Sequence, residues 1–230
     1  MSENTSSKIE AFCLALYVGL VPLNCLTFAG MGSIYKFLVL GIAAVLVMIT
    51  IRRGTIEFQP GISMWGLYIA YMCISVFFFF YPERSLSYFV GMFQLFLLSL
   101  LFLQKSYTDK QHNIIKRMIV LSGIVFVILQ IMYSEQQIYT DRQIISFGSL
   151  GGIDPNEFCG YLILPIAVCM QVFFERTSSV KKIISIILVG MFLYGIMSSA
   201  SRGGLLAATV TIAISIIKSG RFSTKKLFYI

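Results

Sequence analysis

The sequence predicts an all-α protein, a polytopic integral membrane bundle of about eight transmembrane helices. Two observations support this prediction. Apolar residues make up 57% of the chain and mean hydropathy is +0.85, whereas soluble domains contain about 45–50% apolar residues. The apolar residues also form long runs, and a helix needs about 20 mostly apolar residues to span a bilayer. Because the runs cover most of the 230 residues, we expect a single transmembrane domain over 1–230.

Eight apolar runs define the predicted spans, and short polar segments connect most of them. The runs lie approximately at 11–31, 34–51, 61–81, 85–104, 118–133, 156–174, 183–199 and 203–217. Residues 1–10 lack the basic region of a signal peptide, so we expect the first run to be a retained span. Residues 227–230 are apolar again, which indicates either a frayed terminus or, as we favour, the start of a ninth span in a longer protein.

The basic residues assign an orientation to these spans. Cytoplasmic loops of membrane proteins carry an excess of lysine and arginine. With the amino terminus in the cytoplasm, 14 of the 18 basic residues fall on the cytoplasmic side, and the outer side holds only Lys36, Arg84, Arg142 and Arg202. The net charge of +8 is therefore explained by membrane topology, and we expect no nucleic-acid partner.

Two classes of chemistry are disfavoured by the residue types in the spans. The five cysteines have no metal-ligand spacing and are interpreted as small buried apolar residues. The single histidine, His112, falls on the cytoplasmic side. Proton- and ion-coupled carriers usually place ionisable groups at mid-membrane, and the middle of each predicted span has none. The sequence therefore predicts neither a metal site nor an ion pump.

One connection, the outer loop at about 134–154, is long. It is polar with interspersed aromatic residues and becomes glycine-rich at its end. Long loops in compact proteins are often functional. Tyr133, Tyr139 and Phe147 lie in or beside this loop and offer large rings that can stack on sugars. We therefore look for functional residues on the outer side of the membrane.

Asp154, Pro155, Asn156 and Glu157 follow the loop and begin the sixth predicted span. Their order is typical of a helix start: aspartate is a preferred N-cap residue, proline fits the first helical position, and the glutamate completes a capping-box-like pattern. The same carboxylates face the outer compartment, where Asp154 or Glu157 can accept a proton from an attacking hydroxyl. On sequence alone both interpretations stay open.

The segment 198–204, Ser-Ser-Ala-Ser-Arg-Gly-Gly, separates the seventh and eighth predicted spans. Its serines can cap the following helix. Arg202 either snorkels to the membrane interface or binds phosphate, for which a guanidinium is well suited. Each glycine at a helix start costs about 1 kcal/mol relative to alanine, but glycine lets a bulky ligand approach the backbone. Arg84 and Arg142 are either solvated loop residues or further ligands of a diphosphate.

The order of these motifs resembles the front half of the bacterial O-antigen ligase and polymerase family, which includes the Wzy-type polymerases of surface polysaccharides. The similarity covers the whole chain in hydropathy and orientation. In motifs it covers about 142–204: an arginine-bearing outer loop, glycines, Asp-Pro-Asn-Glu-Phe opening one span, and Ser-Ala-Ser-Arg-Gly-Gly two spans later.

The resemblance implies a GT-C-like fold and a metal-independent, inverting glycosyltransferase that needs no cofactor. Members take a glycan from a polyprenyl diphosphate carrier and move it to an acceptor hydroxyl outside the bacterial cytoplasmic membrane. The implied partners are therefore a polyprenyl diphosphate-linked oligosaccharide, an acceptor glycan or lipid, membrane lipids and other polysaccharide-assembly proteins.

Individual residues of this sequence match the family's motifs. Arg202 matches the arginine of the Ser-Arg-Gly motif, which is implied to contact the diphosphate. Arg142 is similar to the loop arginine that precedes the Asp-Pro-Asn segment, and Asp154 and Asn156 match that segment, which we interpret as shaping the site. The expected catalytic residues are Arg202, Glu157 and Asp154, and the expected substrate-binding residues are Arg142, Arg202, Asn156 and Arg84.

The sequence also departs from the family. Members usually continue with more spans and a large outer loop that supplies further arginines and, in ligases, a histidine proposed as the base. Either a local carboxylate is the base here, or the 230 residues are an incomplete enzyme. Two alternative functions are a lipid-linked sugar flippase or exporter, which should show symmetry-related halves that we do not find, and an inactive truncated membrane remnant.

Overall fold

A computed structural model describes residues 3–25, 27–28, 32–53, 60–76, 82–102, 107–136, 143–146, 152–175 and 177–219. Its α-helices are α1 (Glu3–Gly19), α2 (Ile34–Arg53), α3 (Pro60–Val76), α4 (Pro82–Phe102), α5 (Asp109–Tyr133), α6 (Pro155–Phe174), α7 (Ser179–Ser198) and α8 (Arg202–Lys218). A 3-10 helix covers Val21–Cys25, and the short strands are β1 (Thr27–Phe28), β2 (Gly32–Ser33), β3 (Ser134–Gln136), β4 (Gln143–Ser146) and β5 (Gly152–Ile153).

The helical fold class and the membrane character of the prediction are confirmed in their coarse form. Within the described ranges, four stretches are long and apolar enough to cross a membrane: Tyr35–Arg52, Asp109–Tyr133, Pro155–Phe174 and Ser179–Ser198. Shorter apolar stretches lie in α3 and α4. The predicted spans at 61–81, 85–104 and 203–217 overlap α3, α4 and α8, but the count of eight spans and the GT-C-like arrangement stay predictions.

The first predicted span differs most from the structure. The run at 11–31 was expected to be one helix, yet α1 begins at Glu3 and ends at Gly19, and the 3-10 helix follows it. Proline lacks a backbone N–H and clashes with the carbonyl four residues earlier, so Pro22 prevents the continuation of α1. After the 3-10 helix, β1 pairs with β2 in antiparallel register.

The outer loop contains a small sheet that the sequence did not predict. Strands β3, β4 and β5 form a three-stranded antiparallel sheet in that order, with Ser134 opposite Ile145 and Ile145 opposite Ile153. β-Branched residues favour extended backbone, but each strand has only two to four residues. Such short segments carry too little alternation to be recognised as strands.

The chain divides into two compact units, and the prediction of a single transmembrane domain stays a prediction. The first unit comprises Met1–Leu14 and Leu38–His112, and the second comprises Ala15–Phe37 and Asn113–Ile230. In the first unit α3 packs against α4, and Gln111 Nε2 donates hydrogen bonds to the carbonyl and hydroxyl oxygens of Ser7. His112 is exposed, as expected, with its ring edge-on to Tyr107.

The second unit has the larger described core, centred on α6. This helix packs against both α7 and α8, and Phe126, Leu162 and Phe192 are fully buried. The helices pack closely at Gly123 on α5, where a Cβ would lie 2.8 Å from Pro165 Cγ and 3.0 Å from Phe192 Cε1. Helices in membranes approach closely through small residues of this kind.

The cysteines follow the prediction with one exception. Cys13, Cys159 and Cys169 are buried, whereas Cys73 on α3 is exposed. The side chain of Cys25 lies outside the described residues. An exposed thiol on an apolar helix is compatible with a lipid-facing position, since a free cysteine behaves as a small hydrophobe.

Candidate functional site

Two motifs that the sequence separates meet in the second unit, at the amino ends of α6 and α8. Ser201 Oγ donates a hydrogen bond of 2.8 Å to Asn156 Oδ1. The two residues are 45 positions apart, and Ser201 is only 3% exposed. The Asp-Pro-Asn segment and the Ser-Arg-Gly segment are therefore in direct contact, which the sequence did not predict.

Ser201 is also the N-cap of α8. Its Oγ accepts a hydrogen bond of 3.1 Å from the backbone N–H of Gly204, which confirms that a serine of this segment caps the helix. Ala200, just before it, has φ +53°, a left-handed conformation that glycine adopts more readily. The chain thus turns sharply between α7 and α8, and one hydroxyl serves both the helix start and the contact with α6.

A buried thiol–hydroxyl pair supports this turn from the α6 side. Ser199 Oγ donates to the carbonyl of Ile196 at 2.7 Å and lies 3.0 Å from Cys159 Sγ. Because the Ser199 hydroxyl proton is already directed to a carbonyl, the Cys159 thiol is the donor of the second bond. Both side chains are fully buried, so the turn is fixed to α6 by polar contacts that are shielded from solvent.

The two glycines after Arg202 have different surroundings. A Cβ on Gly204 would lie 2.4 Å from Cys159 Cβ and 2.6 Å from its Sγ, so glycine is required there for α8 to pack against α6. A Cβ on Gly203 would meet nothing within 4 Å, and Gly203 is exposed. Packing therefore explains Gly204, and it leaves Gly203 without a structural reason.

Arg202 is the first residue of α8 and is exposed. Among the described residues, no carboxylate lies within 4 Å of its guanidinium and no acceptor is hydrogen-bonded to it. The first turn of α8 contains no acidic residue. A helix amino end carries partial positive charge and unpaired N–H groups, here those of Arg202 and Gly203. The guanidinium and the helix end together form a cationic surface that favours an anion.

The amino end of α6 carries the opposite charge. Asp154 is the N-cap, and its Oδ1 accepts a hydrogen bond of 2.8 Å from the backbone N–H of Asn156, with Pro155 at the first helical position. These two predictions are confirmed. The capping-box-like role expected of Glu157 is wrong: its Oε1 accepts from Tyr161 Oη at 2.8 Å instead, because residues four apart on a helix face each other.

Tyr161 connects Glu157 to the 3-10 helix. Asn24 Nδ2 donates to Tyr161 Oη at 3.2 Å, and the Tyr161 ring stacks on Phe126 with centroids 4.8 Å apart and planes 6° from parallel. Asn24, Tyr161 and Glu157 form what we call the amide–phenol–carboxylate chain. Neither Asn24 nor Tyr161 is singled out by the sequence, because no local pattern links residues 137 positions apart.

Gln130 joins the far end of α5 to the far end of α7. Its Nε2 donates to the Gly195 carbonyl at 3.1 Å and to Ser198 Oγ at 2.8 Å. Its Oε1 is buried and has no partner within the described parts of the chain. Interhelical amides of this kind hold membrane helices together, so Gln130 positions the end of α7 from which the Arg202 turn departs.

Four of the predicted site residues meet at this junction. Asp154, Asn156, Glu157 and Arg202 lie at the adjoining amino ends of α6 and α8. Arg142, together with the rings of Tyr139 and Phe147, lies outside the described residues. Arg84 is in the first turn of α4, in the first unit.

Comparison with protein-family models, with curated proteins and with solved structures finds no match to this chain. The geometry of the α6–α8 junction and the motifs within it are therefore the basis on which a function is proposed.

Proposed function

We propose that this chain belongs to a membrane glycosyltransferase of surface-polysaccharide assembly. It moves a glycan from a polyprenyl diphosphate carrier to an acceptor hydroxyl on the outer side of the bacterial cytoplasmic membrane. The observation that carries this proposal is the surface around Arg202: an exposed guanidinium, unpaired backbone N–H groups and an open glycine at one helix end. The resemblance of the motifs to the O-antigen ligase and polymerase family implies that the anion bound at this surface is a diphosphate.

The charges at the two helix ends suit such a reaction. Arg202 has no anionic neighbour within 4 Å among the described residues, so an incoming diphosphate would be its counter-ion. Arginine binds phosphate oxygens in a bidentate manner. Asp154 and Glu157 sit on the adjoining helix end, where carboxylates are stabilised by the helix dipole. A cationic site for the leaving group therefore lies beside carboxylates for the attacking hydroxyl.

The mechanism assigns a separate role to each charge. As the glycosidic bond breaks, negative charge grows on the departing diphosphate, so a fixed cation stabilises the transition state more than the ground state. Asp154 and Glu157 are both candidates for accepting the acceptor's proton, because each has one engaged carboxylate oxygen, Oδ1 of Asp154 and Oε1 of Glu157, and a second oxygen with no partner among the described residues. Asn156 holds Ser201, and through it the start of α8, in place. Arg84 and Arg142 remain candidate diphosphate ligands.

The test is complementation of a strain that lacks its own copy of the gene. Polymer chain length is read on a gel for wild type, Arg202→Ala and Arg202→Lys, with protein levels measured in parallel. Loss of one such donor costs about 2.7–4 kcal/mol, or about 10²–10³ in rate, so we expect short or absent polymer from Arg202→Ala.

A matched control is Arg117→Ala. Arg117 is an exposed arginine on α5 at the opposite, basic end of the second unit, and its loss should leave polymer length unchanged. Normal polymer from Arg202→Ala and Arg202→Lys, at wild-type protein levels, would support a snorkelling arginine and contradict the proposal.

A further inference from the structure

We infer that the amide–phenol–carboxylate chain of Asn24, Tyr161 and Glu157 binds ring hydroxyls of the first sugar on the diphosphate carrier. This inference rests on the proposed function and adds a sugar-recognising part to the same site. The sequence motifs do not include it, since Asn24 and Tyr161 lie outside every motif discussed above.

The amide–phenol–carboxylate chain has hydrogen-bonding groups that the fold does not use. An amide side chain offers two donors and one carbonyl acceptor, and a carboxylate offers two acceptor oxygens. Among the described residues, Asn24 makes one hydrogen bond through Nδ2, and Glu157 makes one through Oε1. Elsewhere in the described chain nothing bonds to Asn24 Oδ1 or Glu157 Oε2. Each sugar hydroxyl can both donate and accept a hydrogen bond. Two neighbouring hydroxyls of one sugar can therefore pair with the carboxylate oxygen of Glu157 and the amide group of Asn24.

The amide–phenol–carboxylate chain is also held in place by its neighbours, as a specific site requires. Tyr161 is held from one face by the Phe126 ring, which is 1% exposed, and its hydroxyl is fixed between two partners. Glu157 is exposed and Asn24 is half-buried, so both residues reach the surface of the described part of the second unit. Pre-organised polar groups lose little entropy when a ligand binds.

The amide–phenol–carboxylate chain is connected through neighbouring residues to the cationic surface around Arg202. Glu157 directly follows Asn156, and Asn156 is hydrogen-bonded to Ser201, the neighbour of Arg202. Carboxylate and guanidinium thus belong to the two helix ends that one hydrogen bond joins. In a lipid-linked donor the first sugar is attached directly to the diphosphate, so groups adjacent to the diphosphate site are those that contact this sugar.

The experiment measures how much the sugar adds to lipid binding. Purified full-length chain in lipid nanodiscs is titrated with undecaprenyl diphosphate, and with the same lipid carrying one N-acetylglucosamine or one galactose. A hydrogen bond to a charged group is worth about tenfold or more in affinity. We therefore expect at least one glycosylated lipid to bind about tenfold more tightly than the bare lipid.

Two variants test the amide–phenol–carboxylate chain itself. Tyr161→Phe keeps the ring against Phe126 but loses the hydroxyl, and Glu157→Gln keeps the size but loses the charge. Both should bring the ratio of the two dissociation constants close to one, with the bare lipid still bound. Tyr194→Phe, at an exposed tyrosine of α7, is the matched control and should keep the wild-type ratio.

The outcomes separate this inference from the proposed function. Equal binding of bare and glycosylated lipids by wild type, or a ratio that both chain variants keep, overturns the sugar site and leaves the role of Arg202 in place. If both variants weaken the binding of bare and glycosylated lipids equally, the amide–phenol–carboxylate chain only holds the 3-10 helix against α6. The inference would then be wrong. Normal polymer from the Arg202 variants overturns the proposed function alone.

Discussion

Ser201 and Asn156 join the amino ends of two helices through one hydrogen bond of 2.8 Å. Ser201 also caps α8, so a single hydroxyl acts both within its own helix and between helices. Helix ends are places where backbone donors lack partners, and here one of those donors is satisfied by the residue that also fixes the neighbouring helix. The position of Arg202, the next residue, depends on this contact.

The Ser201–Asn156 contact predicts a measurable coupling. Loss of a serine cap costs about 0.5–2 kcal/mol, and Ser201→Ala also loses the bond to Asn156, whereas Asn156→Ala loses only the latter. The double variant should therefore be less destabilised than the sum of the single variants, by about 0.5–1.5 kcal/mol. The measurement is the free energy of unfolding in detergent micelles.

The control for this cycle is Ser215→Ala on α8. The Ser215 hydroxyl bonds only to the Thr211 carbonyl one turn earlier, so its loss should change the free energy of unfolding little and should show no coupling to Asn156→Ala. Strict additivity of Ser201→Ala and Asn156→Ala would mean that the contact does not stabilise the junction.

The neighbouring glycines predict opposite effects of the same substitution. Gly204→Ala forces a methyl group into Cys159, and overpacking of this kind costs about 1–3 kcal/mol. Gly203→Ala meets no atom within 4 Å and should stabilise α8 by up to about 1 kcal/mol through helix propensity. Thermal unfolding of the two variants in detergent provides the comparison.

Gly203→Ala has a second expected effect, on ligand binding. Without a Cβ, Gly203 lets a bulky anion reach the backbone N–H groups at the start of α8, so alanine should weaken binding of undecaprenyl diphosphate although the fold is more stable. If Gly203→Ala bound this lipid as well as wild type does, close approach of a ligand to the backbone would not be the reason for glycine at this position.

The contact between α5, α6 and α7 predicts a strong effect at Gly123. Gly123→Ala would place a methyl group 2.8 Å from Pro165 Cγ, and the helices must separate or the proline ring must move. We expect a loss of about 1–3 kcal/mol in the free energy of unfolding. Gly190→Ala on α7, where a Cβ would meet nothing within 4 Å, is the matched control. Equal stability of both variants would show that this packing is not limiting.

The orientation of the second unit can be tested with reporter fusions. The distribution of basic residues predicts that the connection between α6 and α7 lies in the cytoplasm and the connection between α7 and α8 lies outside. Alkaline phosphatase, which is active only outside the cytoplasm, should be inactive when fused after Ser178 and active when fused after Ala200. The reverse pattern would put Arg202 on the cytoplasmic side and contradict the proposed reaction.

The sequence predicted the starts of α6 and α8 well because they depend on local chemistry. Asp154 before Pro155, and a serine before Arg202, are caps whose partners lie within three residues. The Ser201–Asn156 contact and the amide–phenol–carboxylate chain join residues that are far apart in sequence. No periodicity or local propensity specifies such contacts, so they become visible only when the helices are packed together.

The errors of the sequence prediction also have local causes. Hydropathy counts Pro22 as part of an apolar run, although its missing N–H ends the helix. The first predicted span therefore extends past the end of α1, and it also begins later than α1 does. Strands β3 to β5 were taken as a loop because they are very short. Both glycines beside Arg202 were assigned to ligand access, whereas the neighbourhood of Cys159 accounts for Gly204.

The most direct test of the account is the affinity of the purified chain for undecaprenyl diphosphate in lipid nanodiscs. Arg202→Ala should bind this lipid at least about tenfold more weakly than wild type, the loss expected of one charge-assisted contact. Arg202→Lys should fall between the two, because lysine keeps the charge but loses the bidentate geometry. Equal dissociation constants for wild type and Arg202→Ala would contradict the account, because Arg202 would then hold no diphosphate.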